Sequence, residues 1–387
     1  MSVLDRLEDA AYDLLDRGAI PDFIVRVAIR ALLRKRLREI GDGGGSWLDI
    51  MLGGKSTFAE KHAAKMAWIE GVKRRTEIAD HTDKANEQHY EVPTEFIIST
   101  LGPAAKYSSC LYPTGQETLE EAEVLVLDSY REKARLRDGQ DVLDLGCGWG
   151  SLSLFVAARY PNSKVVGLSN STTQKAFIDK TARERGLRNL EIITADVNTF
   201  DFAGERHFDR ILSIEMFEHM KNYEALLAKV SSWMRPSVQE GPGRAGAEAH
   251  KDEDPSLLFI HIFCHRDTPY HFEEGDGWMA KNFFSGGTMP SHDLFLYFQT
   301  HITLERSWYL PGTHYARTLE DWLNLQDSKK QEGLAALRSA AVAQGRDPVE
   351  GDKTFNRFRV FYMACAELFA MDDGQRWGVG HYLFRRK

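Results

Sequence analysis

The stretch Val142-Leu-Asp-Leu-Gly-Cys-Gly-Trp-Gly150 constrains this chain more than any other segment. Apolar residues lead into Asp144, and Gly146, Gly148 and Gly150 follow at every second position. An apolar run that ends in glycines predicts a buried parallel strand turning tightly into a helix from Leu152 to Ala158. Such a turn lets backbone N–H groups approach a ligand where any Cβ would clash. Dinucleotide-binding folds also carry glycine turns, but their acid follows the glycines, whereas Asp144 precedes them. An acid in that place can meet a ligand's ammonium group, which S-adenosylmethionine presents. An ordinary strand-to-helix turn with a capping Asp is the competing reading.

From residue 141 onward apolar strands alternate with helical segments, the pattern of a doubly wound, mostly parallel sheet. Strands are expected near 141–145, 164–168, 190–194, 209–213 and 257–263, and helices near 150–159, 171–186 and 221–234. The alternating segment Trp377–Phe384 reads as a last, antiparallel strand. In such sheets the ligand lies at the carboxyl ends of the strands. Three polar sets then share a rim with the glycine turn: Ser169 to Gln174, Thr194 to Val197, and Ser213 to His219. In the last set Glu215, Glu218 and His219 are spaced i, i+3, i+4, which on a helix puts all three on one face. Two carboxylates and an imidazole can hold a cationic substrate and take its proton, and neighbouring carboxylates are expected to raise the histidine pKa. Pairing with a local arginine, a buried structural histidine, or a metal site would also use such residues. No further acid or histidine clearly completes a coordination set, so no metal is expected.

The first 40 residues read as two helices, broken at Gly18 and Pro21. The second carries Val25, Ile29, Leu33, Leu37 and Ile40 on one stripe and Arg26, Arg30, Arg34, Lys35, Arg36 and Arg38 elsewhere. A basic amphipathic helix can lie on an anionic membrane. Packing of the stripe on the chain's own domain, with the arginines solvated or paired, is the favoured reading. A third helix is expected over about Thr57–Asp80, beyond a flexible glycine-rich linker at 42–46, and a helix capped by Thr118 runs to Arg135. Residues 236–255 hold almost no large apolar side chain and predict a disordered loop. Residues 264–316 are rich in aromatics and glycine and are expected to cap the sheet. The organisation inferred is a helical region over 1–85 and a catalytic domain over 86–387.

A net charge of -8 disfavours a dedicated nucleic-acid binder. Four scattered cysteines form no C-x-x-C pair, which fits a reducing, cytoplasmic setting without a disulfide framework. No signal peptide or spanning segment is expected. A homodimer is compatible with all of this.

Seven ordered motifs carry a resemblance to a known family: His-Tyr-Glu-Val-Pro at 89–93, Tyr-Ser-Ser-Cys at 107–110, the glycine stretch extended to Leu154, Asn-Ser-x-Thr-Gln-Lys at 170–175, Ser-Ile-Glu-Met-Phe-Glu-His at 213–219, Phe-Phe-Ser-Gly-Gly-Thr-Met-Pro-Ser at 283–291, and His-Tyr-Leu-Phe at 381–384. The chain resembles the cyclopropane-fatty-acid synthase-like methyltransferases, and within them the branch that methylates benzylisoquinoline alkaloid amines. The resemblance implies a Rossmann-like class I methyltransferase with a seven-stranded sheet, S-adenosylmethionine as cofactor and a small amine as partner. It implies that Tyr107, Ser108, Asp144, Gly146, Gly148, Asn170, Gln174, Asp196, Val197 and Ser213 hold the cofactor. Glu218 and His219 match the family's catalytic pair, with Glu215 shared with the alkaloid branch. Tyr90, Glu91, His261, Tyr315 and Phe358 match substrate-pocket positions. Lipid-acting members usually have Gly where Glu215 stands and Cys where Ser109 stands, so modification of unsaturated lipid chains is the alternative.

Overall fold

The computed structural model describes residues 3–41, 57–79, 92–236, 254–272, 278–283 and 286–387. Tyr90, Glu91 and nearly all of the expected loop 236–255 lie outside them. The core is a seven-stranded sheet in the order β3-β2-β1-β4-β5-β9-β8. Strands β1 (Asp141–Leu145), β2 (Lys164–Ser169), β3 (Leu190–Thr194), β4 (Arg210–Ile214) and β5 (Leu257–His265) run parallel. Short β6 (Tyr270–His271) and β7 (Thr288–Met289) form a separate ribbon. Then β8 (Ile302–Pro311) and β9 (Trp377–Arg386) close the sheet, β9 lying antiparallel to both β5 and β8. Sheet order reverses between β1 and β4, which opens a crevice at the carboxyl ends of both strands. The parallel strands are legible because helices cover both faces, so nearly every residue of β1 and β2 is buried.

One strand departs from expectation. The stretch read as a cap over 264–316 contains the edge strand β8. A bulge between Leu304 and Arg306 breaks its period-two pattern, and most of its side chains are only partly buried. Both features erase the alternation that marks a strand. Thr118 caps its helix as expected, in a capping box with Glu121; Thr57 forms another with Glu60 on a helix that ends at Lys73, short of the expected Asp80.

Helices Val3–Asp16 and Asp22–Gly41 pack on the long helix Val349–Ala370, joining an apolar cluster that includes Val25, Phe355, Phe358 and Phe361. Ion pairs hold them there. Arg26 bonds both Glu320 and Glu367, and Arg30 grips Glu367 at 2.6 and 2.9 Å. Arg357 pairs with Asp16, and Arg359 with Asp22. The basic helix thus spends two arginines on its own domain. Glu367 is buried, and the Arg30 and Arg26 guanidinium groups hold its carboxyl below the usual range against the opposing effect of burial. Replacing Glu367 with alanine is expected to cost about 1–3 kcal/mol, between the values for exposed and fully buried pairs. Urea unfolding measures it, and limited proteolysis should cut residues 3–41 faster in the variant.

Candidate active site

A cavity of about 980 Å³ opens at the carboxyl edge of the parallel strands. Its floor is the glycine turn. Gly146, Gly148 and Gly150 all have positive φ (81°, 51° and 81°), a conformation that favours glycine. A Cβ on Gly146 would stand 2.7 Å from Met216 Cβ, and one on Gly150 would stand 2.6 Å from Ile178 Cγ1. Gly148 faces open space and lines the cavity. Leu15, Ile20 and Ile29 of the N-terminal helices form a roof, and Phe361, Cys365 and Phe369 of helix Val349–Ala370 form a wall.

Nine of the ten residues assigned to the cofactor line this one cavity: Tyr107, Ser108, Asp144, Gly146, Gly148, Asn170, Gln174, Asp196 and Val197. They come from four separate segments of the chain, and only the sheet brings them together. Ser213 is the exception. It is fully buried, and its hydroxyl donates to Leu145 O at 2.8 Å, tying β4 to β1 beneath the site. Asp144 accepts from Ser153 Oγ at 2.6 Å, yet burial pushes its carboxyl up to about 6. A cation beside it would restore the charge. The Gln174 amide oxygen accepts from Ser169 Oγ at 2.7 Å, and the Tyr107 ring stacks on Trp322 at 5.3 Å. Glycine floor, acid and polar rim together suit a ligand with an adenosine and an amino-acid end, so the residues present fit S-adenosylmethionine.

The acidic cluster differs from its expected form. Glu215 has φ +48°, so the chain leaves β4 by a sharp left-handed turn, and only Phe217–His219 coil, in a short 3-10 helix. The three side chains therefore do not share a helix face. Glu215 Oε1 accepts from Ser109 N–H at 3.0 Å and lies 2.9 Å from His261 Nε2 in a hydrogen bond, while Oε2 accepts from the Tyr315 hydroxyl at 2.5 Å. Burial raises the Glu215 pKa, and the Lys106 ammonium, the Ser109 N–H and the Tyr315 hydroxyl oppose that rise. Glu218 does not hold His219. Its Oε1 accepts from Phe263 N–H at 3.0 Å, and its buried Oε2 has no hydrogen-bond partner among the described residues. Burial first and the Glu215 charge second push Glu218 well above the carboxylate range, so Glu218 carries the proton of the pair. His219 lines the cavity with its ring exposed to that space. Its pKa is lowered, not raised: the surrounding protein's desolvation outweighs Glu215, and Lys221 adds to it.

Among the pocket assignments, Tyr315 lines the cavity and stacks on Phe369 at 4.3 Å. His261 sits one step behind it, bonded to two cavity-lining residues, Glu215 and Tyr130. Phe358 does not face the cavity. It packs edge-on against Phe96 and Phe283, and Phe361 presents the aromatic face instead. Phe358 and Phe361 are neighbours on one helix face, and a small rotation of that face decides which ring reaches the cavity, which motif matching does not resolve. Tyr130, Lys133 and His381 went unrecognised, yet they bond into the same polar chain as His261. The motif His381–Phe384 pointed at one of them without a role.

Residues 78–377 match the model of the mycolic acid cyclopropane synthetase family. The chain belongs to this family. It is 36% identical over 377 residues to (S)-coclaurine N-methyltransferase of Thalictrum flavum subsp. glaucum, covering 96% of this chain and 94% of that one. It is 30% identical over 321 residues to the cyclopropane-fatty-acyl-phospholipid synthase of Escherichia coli K12, covering 81% of this chain and 68% of that one. The crystal structure of a coclaurine N-methyltransferase bound to N-methylheliamine and SAH superposes with a TM-score of 0.84 at 34% identity, covering 98% of this chain and 100% of that one. This member of the cyclopropane synthetase family is an S-adenosylmethionine-dependent methyltransferase of class I fold.

Proposed function

We propose that the enzyme methylates the nitrogen of a small amine carrying a bulky apolar body, of the tetrahydroisoquinoline type. The observation that carries this reading is the Glu215 carboxylate, held by three donors at the end of a cavity walled by Phe361, Phe369 and Tyr315. An anion beside aromatic faces suits a cation with an apolar body. The alkaloid-acting relatives support it, and so does the structural match to a coclaurine N-methyltransferase.

Tyr107, Ser108, Asp144 and the glycine turn would hold the amino-acid end of S-adenosylmethionine, with Asn170, Gln174, Asp196 and Val197 around its nucleoside. When bound it supplies an electrophilic methyl on sulfur. The substrate's ammonium form lies against Glu215 and gives one proton to neutral His219. The freed nitrogen lone pair would then be placed to take that methyl group, with the thioether as leaving group and a methylated ammonium as product. Positioning and proton removal supply the acceleration. Residues 1–85 act in this reading as a helical arm over the catalytic unit 86–387.

Incubation with S-adenosylmethionine and a panel of amines, beside vesicles of unsaturated phospholipid, tests the proposal by product mass. A gain of one methyl on a secondary amine is expected. A methylene added to the lipid chain, with no methylated amine, would overturn it.

A further inference from the structure

A hydrogen-bonded chain runs from the cavity to the protein surface. Glu215 Oε1 meets His261 Nε2 at 2.9 Å, His261 Nδ1 meets His381 Nε2 at 2.9 Å, and His381 Nδ1 meets Lys133 Nζ at 2.6 Å. Both histidines are buried completely or nearly so. Lys133 is half-buried, with its ammonium over the Trp308 ring at 5.3 Å. Adjacent antiparallel strands make the central step possible, because His261 on β5 and His381 on β9 are direct partners in the register. The Tyr130 hydroxyl also reaches His261 Nδ1, at 2.8 Å.

We infer that Lys133 is a positioning residue for Glu215, acting through His381 and His261 by deciding which nitrogen of each ring carries the proton. An ammonium group can only donate, and a neutral imidazole has one donor and one acceptor nitrogen. With Lys133 charged, His381 Nδ1 must accept, so His381 carries its proton on Nε2. That N–H points at His261 Nδ1, which must accept in turn. His261 then carries its proton on Nε2 and donates it to the Glu215 carboxylate. Without that charge the reverse arrangement opens: Glu215 takes one proton from solvent and donates it to His261 Nε2, His261 donates from Nδ1 to His381 Nε2, and His381 carries its proton on Nδ1. The charge on a surface lysine thereby selects the carboxylate form of a residue three hydrogen bonds away.

The surroundings support the scheme. Lys133 is faced by His381 on β9 and Trp308 on β8, with Glu132 on its own helix. Burial lowers the Lys133 pKa to about 8, with Glu132 opposing. Lys106 faces Glu215, His261 and His381, while His219, Glu218, Tyr315, Tyr130, Cys110 and Cys365 are further charged or titratable groups around Glu215. Burial holds both His261 and His381 well below 6.5, so each ring is neutral at pH 7 and the single-proton accounting applies.

This inference rests on the proposed role of Glu215 in holding the amine, and its test separates the two. Histidine ring-nitrogen NMR of the ligand-free enzyme, assigned with the His261→Gln and His381→Gln variants, reads the proton positions directly. Both rings of the wild type should be protonated at Nε2 at neutral pH. Lys133→Met should move the His381 and His261 protons toward Nδ1 and lower kcat/KM for the amine roughly tenfold, the scale on which loss of one outer hydrogen-bond partner acts. Lys133→Arg should keep the wild-type tautomers and restore kcat/KM. Unchanged ring tautomers in Lys133→Met, or a Lys133→Arg variant as impaired as Lys133→Met, would overturn the inference. If Glu215→Gln keeps the wild-type kcat/KM for the amine, the assigned role of Glu215 fails, and the ring spectra still decide the proton placement.

Discussion

Replacing His219 with alanine lowers kcat by about 10²–10⁴, the usual worth of a positioned general base, while the affinity for S-adenosylmethionine stays within a factor of about two. The physical ground is location and charge state. The ring faces the open cavity, and burial holds its pKa below 6.5. It is therefore neutral near pH 7 and can accept a proton. The cofactor-lining residues Asp144, Asn170 and Asp196 follow other strands, so their contacts survive the substitution. Turnover assays and calorimetric titration with S-adenosylmethionine separate the two effects. Equal losses in rate and in cofactor affinity would remove His219 from the chemistry. The base works only when neutral, so kcat/KM of the wild type should fall as pH drops through a value below 6.5, and this acid limb should be absent from the variant's residual activity.

Replacing Glu215 with glycine should reduce kcat/KM for the amine by about 100-fold or more, the scale for removing one charge-assisted anchor, with the loss mainly in KM. Glycine is the informative choice because Glu215 has φ +48°. Any side chain in that conformation costs about 1–2 kcal/mol, which glycine does not. Relief of that strain offsets part of the cost of leaving the Ser109 N–H, the His261 Nε2–H and the Tyr315 hydroxyl without their acceptor. Glu215→Ala loses the same three bonds and keeps the strain. The alanine variant should thus unfold at lower urea than the glycine variant while sharing its catalytic loss. A matched loss of stability and a near-normal kcat/KM in Glu215→Gly would make Glu215 a structural residue.

How much of this was readable from the chain varies by element, for physical reasons. Strands β1 to β5 were placed within about two residues; β1, β2, β4 and β5 are continuous apolar runs because both their faces are buried, whereas β3 is an edge strand with one buried residue. The edge strand β8 was hidden by a bulge and by partial exposure. Glu215 and His219 line the cavity, in a geometry their spacing does not predict. A helical spacing rule does not hold across a left-handed residue, and one such residue turned Glu218 away from His219 toward Phe263. The histidine pKa went the opposite way for a related reason: charge neighbours are visible in a sequence, whereas desolvation depends on what else packs nearby. Phe358 and Phe361 illustrate the same limit, since helix rotation alone decides which of the two faces the cavity.

The glycine stretch from Val142 to Gly150 determined by itself that a strand would turn tightly into a helix and leave backbone exposed to a ligand. Positive φ and the absence of a Cβ are local properties, carried wherever those residues go. What the glycines could not determine is what meets them across the cavity. The polar chain from Glu215 to Lys133 joins residues 215, 261, 381 and 133 through the pairing of β5 with β9 and one helix laid against it. Contacts between residues this far apart in sequence exist only once the sheet has formed, so tertiary structure alone decided the surroundings and aim of the Glu215 carboxyl in the cavity.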